Sequence, residues 1–165
     1  MQKIKKIGIL VLAFLVLGGL AFSIFMGKEV FDGFTNTISR EETLKYAKTY
    51  EGGFQKFVQG KNLEKLAIPS RQGDHTIPGL LIKKQGNQNM AVLVHGLGGT
   101  KTSLARIMDI FLDLGYNVLA IDQRNSGDNQ APYNTFGVLE SLDILDAINV
   151  AKSKRAASCT APGPR

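Results

Sequence analysis

Met90-Ala91-Val92-Leu93-Val94-His95-Gly96-Leu97-Gly98-Gly99 decides the fold of this chain. Five apolar residues run without a polar break into a histidine, and glycine then fills three of the next four positions. Continuous rather than alternating hydrophobicity is what a strand covered on both faces requires. Glycine lacks a Cβ, so a chain leaving the strand here can turn sharply and bring its backbone close to another molecule. Downstream, Leu104, Ile107, Met108, Phe111 and Leu114 recur at helical spacing, and Gly115 is placed to end that helix. Residues 118–121 form a second apolar run, stopped by Asp122. Strand, helix and strand in this order predict a parallel pair joined by a right-handed crossover, hence an α/β architecture.

Working outward, residues 63–69 and 76–83 are strand-like and flank the turn-forming Ser70-Arg71-Gln72-Gly73-Asp74, which predicts a hairpin. Pro78 cannot donate to a ladder and predicts an edge or bulge position. Residues 85–88 form a further polar turn. Upstream, Ser39-Arg40-Glu41-Glu42 fits a capping box, and Leu44, Ala47, Tyr50, Phe54 and Phe57 follow at helical spacing. Such a stripe predicts a helix packed on the domain, and Gly52-Gly53 is expected to weaken it or break it in two. Beyond a loop at 125–134, Val138, Leu142, Leu145 and Ile148 mark another amphipathic helix, with Asp143 and Asp146 on its polar side.

The N-terminus is of a different kind. Lys3, Lys5 and Lys6 precede residues 7–26, which carry no charge. At about 1.5 Å per residue that run reaches about 30 Å as a helix, enough to cross a bilayer core. The basic flank places the N-terminus in the cytoplasm and the rest of the chain outside. A cleaved signal peptide is the alternative, with Ala21 and Ser23 at suitable spacing, and would make the protein secreted. The apolar run continues through Ile24, Phe25 and Met26, which favours the anchor. Residues 28–38 then form a juxtamembrane link.

The net charge of +6 does not predict nucleic-acid binding, because residues 27–153 carry 14 basic and 14 acidic side chains. The excess sits in the leader and near the C-terminus, so the domain lacks a basic footprint for phosphates. Cys159 is the only cysteine, which excludes an internal disulfide. Two phosphate-binding patterns come near. A P-loop would use Lys101-Thr102, but His95 and Thr100 stand at its glycine positions. A dinucleotide turn starting at Gly96-Leu97-Gly98 would need a third glycine where Lys101 stands.

His95-Gly96-Leu97-Gly98, followed at a suitable interval by Asp122-Gln123-Arg124-Asn125-Ser126-Gly127, resembles the H-G-x-G and D-x-R-G-x-G motifs of bacterial membrane-anchored α/β-hydrolases. The likeness covers residues 63–152. It implies an incomplete α/β-hydrolase fold: an N-terminal hairpin plus parallel strands with flanking helices, after an N-terminal transmembrane helix. It divides the chain into an anchor or signal peptide at 1–27, a juxtamembrane helical segment at 28–62, the hydrolase portion at 63–152 and a disordered tail at 153–165. It implies that His95, Gly96, Leu97, Gly98 and Gly99 form an oxyanion loop, with the Leu97 N–H as a donor and His95 as support. Asp122, Arg124, Asn125 and Gly127 become a structural turn, in which Asn125 replaces the usual glycine and tolerates the same backbone. The implied chemistry is hydrolysis of a small-molecule ester or amide, or of a peptide, through an acyl-enzyme, with no cofactor and no metal.

The nucleophile of that fold lies in G-x-S-x-G, with acid and histidine after it. None of Ser23, Ser39, Ser70, Ser103, Ser126, Ser141, Ser153 and Ser158 has a glycine two residues before it. The histidines, His75 and His95, both come too early to be the base. An improvised Ser103–His95 pair competes with Ser103 as a capping serine. Residues 153–165 hold no Ile, Leu, Val or Phe where an apolar strand is due. A frameshift, a truncation or an artificial join near codon 153 is therefore expected, against a natural disordered tail. The chain alone is expected to lack triad-dependent turnover, and a non-catalytic membrane-anchored binding domain is the rival reading.

Overall fold

The structure is a computed structural model that describes residues 2–84 and 89–160, with side chains as far as 155. The polar turn at 85–88 and the last five residues lie outside the described residues. The chain forms two compact units, residues 1–37 and 38–165. The first is one helix, α1 (Gln2–Thr35), so the link read at 28–38 is helical as far as Thr35. Among the described residues, the segment beginning at Gln2 holds the one helix long and apolar enough to cross a membrane. An anchor and a signal sequence share that property.

The second unit opens with α2 (Arg40–Val58), and the capping box at its start is formed. The Glu42 N–H donates to Ser39 Oγ at 3.3 Å and the Ser39 N–H to Glu42 Oε2 at 2.8 Å. Gly52-Gly53 does not break α2, because Phe54 and Phe57 on the following turn are held against the domain, and tertiary packing outweighs local propensity. The strands β1 (Asn62–Pro69) and β2 (Thr76–Lys83) form the expected antiparallel hairpin. They are followed by β3 (Met90–Val94), a 3-10 turn (Lys101–Leu104), α3 (Ala105–Asp113), β4 (Asn117–Ile121) and α4 (Glu140–Thr160). The four strands make one mixed sheet in the order β1-β2-β4-β3. β3 and β4 are parallel, with Met90 opposite Asn117 and Val94 opposite Ile121.

β2 is an interior strand, which corrects the edge or bulge position read from Pro78. The Asp122 N–H donates to Pro78 O at 2.9 Å, so the missing Pro78 N–H would point the same way, beyond the end of β4. The Asp122 carbonyl it would have met accepts instead from Asn129 Nδ2 at 3.1 Å. The one bond that the proline cannot make is thus replaced by a side-chain donor.

Side chains alternate across the sheet. Leu119 and Ile121 face α4, where they join Ile68, Ile77, Leu81, Ala147 and Ala151. Val118 and Ala120 face α3, where they join Ile82, Leu104, Met108 and Leu112. Helix α3 ends where Gly115 was expected to end it: Gly115 N donates to Leu112 O and Tyr116 N to Phe111 O, with Gly115 at φ 87°. The Phe111 and Tyr116 rings meet edge to face at 5.7 Å and secure the turn.

Helix α4 buries a different face from the one its leucines suggest. Asp143, Ala147 and Ala151 are buried, while Val138 and Leu145 are exposed. Alanines let the helix sit close on the sheet, and Asp143 is drawn inward by charged partners described below. The segment 153–165, expected to be disordered, is helical as far as Thr160.

Candidate functional site

The carboxyl ends of β3 and β4 carry the two loops singled out in the sequence. After β3, Gly99 N donates to Gly96 O at 3.0 Å and closes a tight turn whose third residue, Gly98, has φ 79°. That bond leaves the two central amides, Leu97 N–H and Gly98 N–H, outside the turn's own pairing. A Cβ at Gly99 would lie 3.1 Å from the His95 Cβ, so the turn is packed down on the histidine.

His95 is 4 % exposed and belongs to the scaffold. Its Nε2 accepts from the Gln123 N–H at 3.0 Å, which puts the ring proton on Nδ1, 2.8 Å from Gly96 O. Burial lowers its pKa below the ordinary histidine value, consistent with a neutral ring. The Gln123 side chain donates back to the His95 carbonyl, so the two strand ends are stitched together.

Asp122 organises the second loop. It is fully buried and accepts from Lys101 N at 2.7 Å, from Asp128 N at 2.9 Å and from Lys101 Nζ. Lys101 Nζ also reaches Asp128 Oδ2 at 2.6 Å, and that hydrogen bond chiefly holds the Asp128 carboxyl below its ordinary value. Gly127 has φ 54°, and a Cβ there would lie 2.5 Å from Asp122 Oδ2, so no other residue fits. Asn125 takes the left-handed backbone, at φ 52°, in the position where the resembling motif has glycine. The start of α2 grips the same loop: Arg40 Nε donates to Gly127 O at 3.0 Å, and Gly127 N to Thr43 Oγ1 at 2.9 Å.

A buried ionic cluster lies beneath Arg124 and was not foreseen. Arg124 is 2 % exposed and pairs with Asp74 Oδ2 at 2.6 Å and Asp143 Oδ2 at 3.6 Å. His75 lies between the same carboxylates, with Nδ1 2.6 Å from Asp74 Oδ1 and Nε2 3.1 Å from Asp143 Oδ2. Burial pushes the Asp143 carboxyl above its usual value against the pull of His75 and Arg124. For Asp74, burial works upward too, but hydrogen bonds from Arg124 and His75 prevail and hold it well below the usual range. The polar side on which the sequence reading placed Asp143 is thus turned inward at that residue. The available signal was that a buried arginine needs carboxylate partners.

Between the loops lies a cleft of about 250 Å³, lined by His95, Gly96, Leu97, Arg124, Asn134 and Phe136 among others. Arg124 Nε and Asn134 Oδ1 are buried without a hydrogen-bond partner among the described residues, one a donor and one an acceptor. Such groups are unusual unless something else satisfies them. The cleft wall is shaped by Glu140, whose carboxylate accepts from Thr135 N at 2.6 Å, Thr135 Oγ1 at 2.7 Å and Gly137 N at 2.8 Å. These bonds prevail over burial and hold Glu140 below its ordinary value. Between them Phe136 takes a φ of 50° and is 61 % exposed.

The rival motifs are spent on structure. Lys101 is buried between two carboxylates and does not present its ammonium to a phosphate. Ser103 Oγ donates to Thr100 O at 2.6 Å and accepts from Thr100 N at 3.2 Å, while both His95 nitrogens are engaged. No Ser103–His95 pair is formed. Among the described residues there is no cluster of three or more His, Cys, Asp or Glu side chains able to hold a metal ion.

No family model matches the chain. Over 106 residues it is 29% identical to a Bacillus subtilis (strain 168) protein described as uncharacterized protein YqkD, a match covering 63% of this chain and 34% of the relative. The chain thus spans about a third of the length of that relative. Among solved structures, the Pyrococcus furiosus esterase is similar in one crystal form with a TM-score of 0.56 at 22% identity, over 63% of this chain and 40% of the esterase. In a second crystal form the TM-score is 0.55, over 39% of the esterase. The likeness establishes the fold: a mixed sheet with flanking helices, as in α/β-hydrolase esterases.

Proposed function

We propose that this chain is the oxyanion-loop portion of a serine hydrolase acting on an ester, amide or peptide bond through an acyl-enzyme. The observation that supports the proposal is the Gly96–Gly99 turn at the end of β3, whose central amides are outside the turn's own pairing and whose residues Gly96 and Leu97 line a cleft. Acyl transfer passes through a tetrahedral intermediate whose oxygen gains charge, and backbone donors fixed in advance stabilise it without reorganisation. Leu97 N–H is the donor of this chain. His95 holds the loop in shape, and Asp122, Arg124, Asn125 and Gly127 hold the opposing turn.

The nucleophile, acid and base come from polypeptide beyond these residues. Among the described residues β3 pairs on one side only, with β4, and its other edge is the natural place for the strand that leads into a G-x-S-x-G elbow. We read α1 as a single-pass membrane anchor with the domain on the extracytoplasmic side of a bacterial membrane. No cofactor enters the reaction.

The test is to read the coding sequence past codon 153 in all frames and to assay the encoded product with p-nitrophenyl esters. Turnover is expected, falling about a hundredfold or more in Leu97→Pro, which removes one oxyanion donor. A product lacking an elbow and any esterase activity would favour the second reading, a non-catalytic membrane-anchored binding domain. The observation on that side is that His95 and Ser103 are both engaged in structure.

A further inference from the structure

We infer that the cleft beside the glycine turn recognises a neutral group of its substrate, an amide or a hydroxyl, which accepts from Arg124 Nε and donates to Asn134 Oδ1. The inference rests on reading the cleft as the substrate site of a hydrolase and deepens it by naming the chemistry that is bound there.

The first observation is a pair of unanswered polar atoms. Arg124 and Asn134 both line the cleft. Arg124 Nε is a buried donor and Asn134 Oδ1 a buried acceptor, and neither has a hydrogen-bond partner among the described residues. Groups of this kind are costly to leave unmet, and a bound molecule that meets both gains what the folded chain forgoes.

The second observation is that the donor is held in place. Arg124 is 2 % exposed. Its Nη2 donates to Asp74 Oδ2 at 2.6 Å, and its Nη1 lies 3.4 Å from His75 Nδ1 and 3.6 Å from Asp143 Oδ2. A guanidinium is planar, so holding its two Nη groups also sets the direction of Nε–H. The ionic cluster is therefore a mount that offers one donor without reorganisation.

The same mount selects against an anion. The charge of Arg124 is already met by Asp74 and Asp143, and a third carboxylate, that of Glu140, belongs to the cleft wall. A carboxylate ligand would add negative charge to a wall that has no cation left to answer it. The group that fits is neutral, accepts at one point and donates at another. An ester carbonyl accepts only, and would leave Asn134 Oδ1 unmet. Leu97 and Phe136, 53 % and 61 % exposed, line the same cleft and offer apolar contact to the chain that carries the group. At about 250 Å³ the cleft is smaller than the roughly 300–1,000 Å³ usual for a whole ligand, so it takes one arm of a substrate.

The test follows the Arg124 Nε–H resonance of the full chain in detergent micelles, assigned by through-bond correlation to the Arg124 backbone. Four probes of similar size are titrated: N-butylacetamide, heptan-2-ol, butyl acetate and hexanoate. The expected result is a saturable shift with the amide or the alcohol, and the tighter of the two names the group. Butyl acetate and hexanoate should each bind about tenfold more weakly, or worse. Asn134→Leu, close in size and without polar atoms, should bring the preferred probe down to the level of the ester while the melting temperature is kept. Equal or tighter binding of the ester or the carboxylate overturns the inference. So does an undiminished preference in Asn134→Leu, or the absence of a saturable shift with every probe. If the preference is absent and the complete protein still hydrolyses esters, the hydrolase reading stands and this inference falls. If the preference is present and the complete protein hydrolyses nothing, the hydrolase reading falls and the cleft remains a binding site of the stated chemistry.

Discussion

β3 and β4 are parallel, equal in length and apolar but for Asn117 at the start of β4, yet every residue of β4 is buried and every residue of β3 only half-buried. The difference does not come from composition. Among the described residues β4 has a hydrogen-bonded neighbour on each side, while β3 has one on a single side. The loops that follow show the same contrast. The loop after β4 is pinned by a buried carboxylate, an ammonium and a left-handed glycine. The loop after β3 is packed down by His95 but keeps its central amides outside its own turn. One strand end is built to be immobile, and the other to present donors.

The sharpest way to break this comparison is Asp122→Ala. It leaves the buried Lys101 ammonium with Asp128 alone and takes the acceptor from the Lys101 and Asp128 amides, and losing one partner of a buried pair costs about 3–5 kcal/mol. Urea denaturation in detergent should register that loss; a cost below about 1 kcal/mol would mean the pin is superficial. Next come Leu119→Ala in β4 and Leu93→Ala in β3. The first should cost about 2–5 kcal/mol by opening a cavity in a closed core, and the second about half as much because its site is already open. Equal losses would remove the distinction between the strands. Gly127→Ala drives a methyl group into Asp122 and should cost about 1–3 kcal/mol through strain, whereas Gly96→Ala, where no atom lies within 4 Å of the added Cβ, should cost much less.

The pH dependence is a smaller effect. Asp74, Asp128 and Glu140 have folded pKa values below their unfolded ones, near 3.8 for aspartate and 4.5 for glutamate. Their contribution is present above those unfolded values and is lost as pH falls through the folded ones. Asp143 acts in the opposite sense, since its folded pKa is raised and its ionisation costs stability as pH rises. The urea midpoint should therefore begin to drop below about pH 5 and go on dropping below about pH 3, and Asp74→Asn should flatten that drop. The smallest effect belongs to Ser39→Ala, which removes the α2 cap and should cost about 1 kcal/mol.

Much of the fold was legible because it is encoded locally. The capping box, the hairpin, the two parallel strands and the glycine that ends α3 each depend on a few adjacent residues. What was misread depends on partners far along the chain. Pro78 sits inside the sheet because Asn129 takes the hydrogen bond that the proline cannot make. Asp143 is buried because Arg124 and His75, 19 and 68 residues away, bring charge to it. Once Asp143 is drawn inward, Ala147 and Ala151 must follow it, and Val138 and Leu145 turn outward. At the site, the glycines and Asp122 were visible as a motif, whereas Asn134 and Phe136 lay in a loop without periodicity and Glu140 begins α4, where nothing in the sequence marks it as turning back to that loop.

The most direct measurement is intact-mass analysis of the purified chain after exposure to a fluorophosphonate probe, alone and with polypeptide that supplies a G-x-S-x-G elbow. The expected result is an unmodified chain in both cases, with the adduct carried by the elbow serine of the added polypeptide. An adduct on any serine of this chain, Ser103 above all, would contradict the conclusion that it contributes an oxyanion loop and no nucleophile.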